Sequence, residues 1–108
     1  MAFRSVLTFQ VKEGQSAEFE VAYNEGLFLV RAADVPGFLR ADFMKSSGDP
    51  HRYIATADWE NAEAFQEWQV RIPKVVPQEI LMRLFGLLED PKGGELFEIL
   101  DTVPPSLL

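Results

Sequence analysis

The chain has 108 residues, with seventeen acidic side chains against ten Lys and Arg, and contains no cysteine. That length suits one domain over residues 1–108, large enough to bury roughly 65% of its unfolded surface and so to need no disulfide or metal staple. The missing cysteines exclude disulfides, cysteine-ligated zinc and iron–sulfur clusters, and the net charge of −7 repels phosphate backbones, which argues against a nucleic-acid partner.

Phe3, Ser5, Leu7, Phe9 and Val11 alternate with Arg4, Val6, Thr8 and Gln10, as in a strand with two different faces. After Gly14, Ser16 is placed as an N-cap with Glu18 in the first turn. Phe19, Ala22, Tyr23, Gly26, Leu27, Val30 and Ala33 recur at spacings of three and four. They predict one helix ending near Ala33, before Pro36-Gly37. Phe38 to Lys45 and His51 to Trp59 read as two strands. The turn formers Ser46 to Pro50 between them predict an antiparallel hairpin, whose register the sequence leaves open.

Asn61 caps a second helix carrying Ala64, Phe65, Trp68 and Ile72, with Pro73 as its stop. Pro77 suits the first position of a third helix bearing Ile80, Leu81, Leu84, Phe85 and Leu88. Leu96 to Thr102 reads as a last strand, and residues 101–108 as a flexible tail with exposed leucines.

This order fits an α+β, ferredoxin-like fold: a four-stranded sheet with helices on one face, whose helical crossovers can give parallel strand pairs. Leu39, Ala41 and Phe43 are expected on one side of their strand, against Phe38, Arg40 and Met44. With Val6 on the outer side of the first strand, the second sheet face is half apolar and calls for a cover. The same face of a second copy supplies one, which predicts a homodimer. Met1 to Gln10 lacks the apolar core of a signal peptide, and no run approaches the roughly 18 apolar residues of a membrane span. No helix offers a basic face to a membrane surface, so a cytoplasmic location without a membrane partner is expected.

Val35-Pro36-Gly37-Phe38 opens a strand, Asp49-Pro50 lies in the hairpin turn, and Tyr53 falls early in the third strand. Trp59-Glu60-Asn61-Ala62-Glu63-Ala64-Phe65, then Trp68, joins that strand to the second helix. In this order and spacing the chain resembles the antibiotic biosynthesis monooxygenase family over roughly Phe3 to Leu100. The resemblance implies a sheet-to-sheet dimeric α+β barrel, in which the sheet is antiparallel. It also implies oxygenation of an electron-rich, polyketide-like aromatic compound by O₂ with no flavin, nicotinamide or metal cofactor. A delocalised carbanion formed from the substrate would pass the electron, while the protein supplies a dry pocket and hydrogen bonds.

By the same resemblance Trp59 stands in the pocket, and strand alternation then adds Tyr53, Ala55 and Ala57 to its face. The two alanines between aromatics leave a hollow suited to a flat ring system. Polyketide-oxidising members carry asparagine where Ala55 stands and, in some cases, a catalytic tyrosine where Phe65 stands, so two hydrogen-bonding groups are missing here. Tyr23 on the first helix, beside Gly26, is the candidate polar contact. The site reading is thus Trp59 and Tyr23 in the chemistry, with Tyr53, Ala55, Ala57, Phe65, Gly26 and Arg83 around the substrate. Asn24, His51, Arg40 and Asp58 are weighed as further polar groups and placed at the surface or rim, and Trp68 in the core. A lone His51 offers no metal site and no haem ligand on the second helix. Two other functions fit the same scaffold: a non-oxidative cyclase or isomerase, and a small-molecule-binding domain without chemistry.

Overall fold

A computed structural model describes residues 2–104; Leu107 and Leu108 of the expected tail lie outside the described residues. Four strands, β1 (Phe3–Gln10), β2 (Phe38–Lys45), β3 (Arg52–Trp59) and β4 (Glu95–Glu98), form one sheet in the order β2-β3-β1-β4. Every neighbouring pair is antiparallel. The sheet is thus antiparallel as the family resemblance implies, and the parallel pairs that the crossovers could give do not form, because the hairpin returns β3 into the gap between β1 and β2. Those two strands run parallel but never touch. Four helices accompany the sheet: α1 (Ser16–Glu25), α2 (Phe28–Ala32), α3 (Ala62–Val75) and α4 (Gln78–Gly86). This is the ferredoxin-like arrangement, with the first helical layer in two pieces.

The hairpin register pairs Lys45 with Tyr53 and Met44 with Ile54. Side chains in the turn set it: Ser46 Oγ accepts from the Gly48 and Asp49 amides, and Asp49 Oδ1 accepts from the His51 amide at 2.9 Å. At the other end of β2 the register slips, with Phe38 opposite Trp59 but Arg40 opposite Asp58. Leu39 is therefore the extra residue of a bulge, and Phe38 turns inward with Ala41 and Phe43. That reverses the expected sides of Leu39 and Phe38. The outer face carries Val6, Thr8, Ile54, Thr56 and Met44 among two ion pairs, Arg4 with Asp58 at 2.6 Å and Arg40 with Asp42 at 2.8 Å.

The first helix is not continuous. Leu27 takes a left-handed conformation, φ 52°, and separates α1 from α2. The break follows from packing at Gly26, where the Phe28 ring folds back so closely that a Cβ would overlap it. Ser16 is not the N-cap; Gln15 occupies that position, and the Ser16 hydroxyl donates to the Pro50 carbonyl at 2.9 Å.

Asn61 caps α3 as expected, accepting from the Ala64 amide at 2.9 Å. Pro73 does not stop that helix, which runs to Val75. The stop comes from Pro77, whose ring forces the preceding Val76 into an extended conformation, φ −96° and ψ 128°. Pro77 itself is then the N-cap of α4 rather than its first residue. The last strand is shorter than Leu96 to Thr102, because β1 offers partners only from Val6 to Phe3. Among the described residues no helix is long and apolar enough to cross a membrane.

Gly26→Ala is expected to destabilise the fold by about 1–3 kcal/mol through overpacking against the Phe28 ring. Gly26 has an ordinary helical φ of −71°, so the cost should vanish when Phe28 is first shortened to Leu. Urea denaturation of the two single variants and the double variant measures this coupling.

Candidate active site

The inner face of the sheet changes in side-chain size along its length. At one end Phe9, Tyr53 and Phe43 meet Phe19 and Tyr23 of α1; at the other Trp59 packs with Val35, Ala64 and Phe38. Between them stand the small residues Ser5, Ala55 and Ala57, with Leu7 opposite Ala55. A cavity of about 420 Å³ opens over these small residues, within the usual range of small-molecule sites. Its roof and walls come from Phe28, Leu29 and Ala32 of α2, Phe65, Trp68, Gln69 and Ile72 of α3, and Leu81, Leu84 and Phe85 of α4. Pro91 to Gly94 form part of the rim.

Tyr23 lines the cavity while only 6% exposed. Its ring is clamped between Phe43, 3.8 Å away and nearly parallel, and Phe28 at 4.9 Å. The hydroxyl has no protein partner among the described residues, and burial pushes its pKa above the usual tyrosine value. It is thus a neutral donor, not a base.

The site residues expected from the sequence divide into two groups. Tyr23, Ala55, Ala57 and Phe65 come together around the cavity. Trp59 does not line it: the ring is 0% exposed, packed edge-on against Phe38 at 5.7 Å. Its indole Nε1 instead donates to Ser5 Oγ at 3.1 Å, so the ring stands beyond the end of the cavity floor, not in it. Tyr53 is also outside, its hydroxyl donating to Glu20. Gly26 is filled by Phe28 and leaves no room for a ligand. Arg83 faces away, paired with Glu25 at 2.6 Å, because its helix turns Leu84 rather than Arg83 toward the sheet.

Asn24 is exposed, His51 sits in the hairpin turn 3.7 Å from Asp49, and Arg40 and Asp58 are held in outer-face ion pairs. Trp68, expected in the core, is half-buried and forms a cavity wall.

Sequence reasoning missed Ser5, Phe28, Leu29 and Gln69 as site residues. Ser5 was legible as the one hydroxyl in an otherwise apolar inward stripe. Gln69 falls four residues after Phe65, on the cavity side of the same helix. Phe28 and Leu29 became wall residues only through the break at Leu27.

An antiparallel ferredoxin-like sheet roofed by helices over a largely apolar cavity defines an α+β protein with room for a small molecule. The sequence model of the family described as antibiotic biosynthesis monooxygenase matches residues 2–71, and the chain belongs to that family. SnoaB from Streptomyces nogalater, a cofactor-independent oxygenase, is 25% identical with a TM-score of 0.73, covering 96% of this chain and 98% of its own. A dimeric ferredoxin-like protein from an uncultured marine organism is 17% identical with a TM-score of 0.82, over 97% of this chain and 93% of its own. A conserved protein from Methanosarcina mazei Go1 has a TM-score of 0.72 at 16% identity, over 90% of this chain and 91% of its own. No curated protein matches the sequence.

Tyr53 serves a stabilising contact whose pH dependence has a definite sign. The hydrogen bond from Tyr53, helped by Lys45 at 3.3 Å, outweighs burial and holds the Glu20 carboxyl below its ordinary value of 4.5. A depressed carboxyl stabilises the fold fully above the unfolded value and loses that contribution as pH falls through the folded one. The melting temperature of the native protein should therefore drop more steeply below about pH 4.5 than that of Glu20→Gln. Melts across pH 3–6 test this, at about equal salt because the contact is partly exposed.

Proposed function

We propose that the cavity binds a planar, electron-rich aromatic compound and that the protein oxidises it with O₂ without a cofactor. One observation carries this reading: Tyr23, whose protonated hydroxyl has no protein partner among the described residues, lines an apolar, aromatic-walled cavity. Family membership and the likeness to SnoaB support it.

The chemistry fits such walls. An anthrone-type substrate loses a proton to water at the open mouth of the cavity and becomes an enolate, which hands one electron to O₂; the proton returns to the peroxide that forms. Recombination at the methylene carbon forms a C–O bond, and loss of water leaves the quinone. Anthrone plus O₂ thus gives anthraquinone plus water, the substrate losing four electrons and O₂ gaining four. Apolar walls lower the polarity around the rings, and the Tyr23 hydroxyl stabilises the enolate oxygen.

Oxygen uptake with anthrone should match anthraquinone formed mole for mole. Tyr23→Phe should slow turnover by roughly 10- to 100-fold, below the loss for a preorganised oxyanion donor, since the substrate's own acidity remains. Its thermal melt should change little, because the ring stays clamped between Phe28 and Phe43. Full activity in that variant removes Tyr23 from the reaction.

A second reading rests on a different observation. Among the described residues, no carboxylate or imidazole lines the cavity. Of the non-oxidative alternatives, a binding protein that leaves its ligand unchanged accommodates that directly, whereas a cyclase or isomerase would still need a group to move protons. Aromatic ligands that bind without oxygen uptake decide for this reading.

Both readings place a second copy of the chain over the outer sheet face. Val6, Thr8, Ile54 and Thr56 form its middle, and the marine relative is described as dimeric. Light scattering at micromolar concentration should give about twice the chain mass, and Ile54→Glu should return the monomer. A monomeric native protein overturns the dimer.

A further inference from the structure

Ser5 is the buried polar residue that the proposed chemistry leaves unused. It sits in β1 directly opposite Ala57, is 8% exposed, and contributes to the cavity surface. Its Oγ accepts from Trp59 Nε1 at 3.1 Å and donates to the Ala57 carbonyl at 3.4 Å. The second contact is long for an O–H···O bond, which centres near about 2.7–2.8 Å. The serine proton is held loosely and turns readily to a better acceptor.

Trp59 makes this arrangement directional. Indole nitrogen only donates, so its partner oxygen must accept, and the serine proton is left for another group. Acceptance from the indole also polarises the serine O–H and strengthens its donation. The Trp59 ring is fully buried between Phe38 and Phe65, at 5.7 and 6.3 Å, and holds the serine oxygen in one position.

We infer that Ser5 donates a hydrogen bond to a carbonyl or enolate oxygen of the aromatic ligand, and that Trp59 is the positioning residue that orients it. The cavity then reads its ligand through two hydroxyls, Tyr23 from the helical side and Ser5 from the sheet. Two neutral donors suit a ketone or enolate oxygen. The inference rests on the reading that this cavity holds an aromatic ligand, and it holds equally for oxidation and for binding alone.

The test compares two tricyclic probes of similar shape, 9,10-anthraquinone with its carbonyl oxygens and anthracene without them. Both should quench the fluorescence of Trp68, which lines the cavity. Ser5→Ala should weaken anthraquinone by about 3- to 10-fold, the worth of one neutral hydrogen bond, and leave anthracene unchanged. Trp59→Phe should weaken anthraquinone selectively by a smaller factor, and should cause no further selective loss in the Ser5→Ala background. Ser5→Thr, which keeps a hydroxyl, should restore most of the preference. A purely structural role for Trp59 would affect both probes alike, and thermal melts separate misfolding from lost recognition. Unchanged anthraquinone affinity in Ser5→Ala, or equal loss of both probes, overturns the inference while leaving the cavity reading intact. No quenching by either probe in the native protein overturns both.

Discussion

The uneven side-chain size along the inner face of the sheet is the constraint on which the site depends. Helices must rest on something. Here they rest on an aromatic group around Phe9, Phe19 and Tyr53 at one end and on a second around Trp59 at the other. Rings 4.9 to 5.2 Å apart in the first group resist collapse as any close-packed core does. Ser5, Ala55 and Ala57 reach too little from the sheet to touch a helical layer held at that height. The open volume between the two groups is therefore not a packing defect. It follows from small residues standing where larger ones would give a solid core.

The roof depends on a second device at the joint between α1 and α2. Arg31 donates from Nε to the Gly26 carbonyl at 3.0 Å and from Nη1 to the Val75 carbonyl. Both acceptors lie at the C-terminal ends of helices, where carbonyls lack partners and a cation is favoured. One guanidinium thus ties the bend to the end of α3. Without the bend, Phe28 would not stack on Tyr23 and Leu29 would not reach the cavity.

Much of the fold was legible because local chemistry and long-range packing agree. Alternation in β1 and β3, the Asn61 cap and the turn formers at Ser46 to Pro50 each point to the observed structure. The misreadings occur where a tertiary contact overrides a local rule. The periodicity from Phe19 to Ala33 continues through Gly26 and Leu27, and nothing in it reveals that the Phe28 ring fills the space at Gly26. Pro73 is a helix breaker by rule, yet Pro77 ends the helix through its effect on Val76. The bulge at Leu39 has no sequence signal at all, and it decides which of two apolar residues faces the core. The alanines of the cavity floor were readable from strand alternation. That Trp59 lies beyond the end of that floor, packed against Phe38 and Phe65, was not, because alternation gives the side of the sheet and not the depth of packing.

The electrostatics of the cavity limit the chemistry more sharply than its shape does. Burial keeps Tyr23 protonated, and Ala55 and Phe65 add only apolar surface. On the proposed reading, Tyr23 and Ser5 would stabilise negative charge on a ligand oxygen as neutral donors, while among the described residues no carboxylate or imidazole lines the cavity to create it. An apolar medium opposes ionisation unless hydrogen bonds compensate for lost water. A ligand that ionises here must already be a strong carbon or phenol acid, with its charge spread over several rings. Delocalised charge loses less hydration on burial than localised charge, and it is also the charge that O₂ can accept as an electron. On the proposed reading, the apolar lining that favours ring binding would thus select, among bound molecules, those whose own acidity and electron richness bring the reaction within reach.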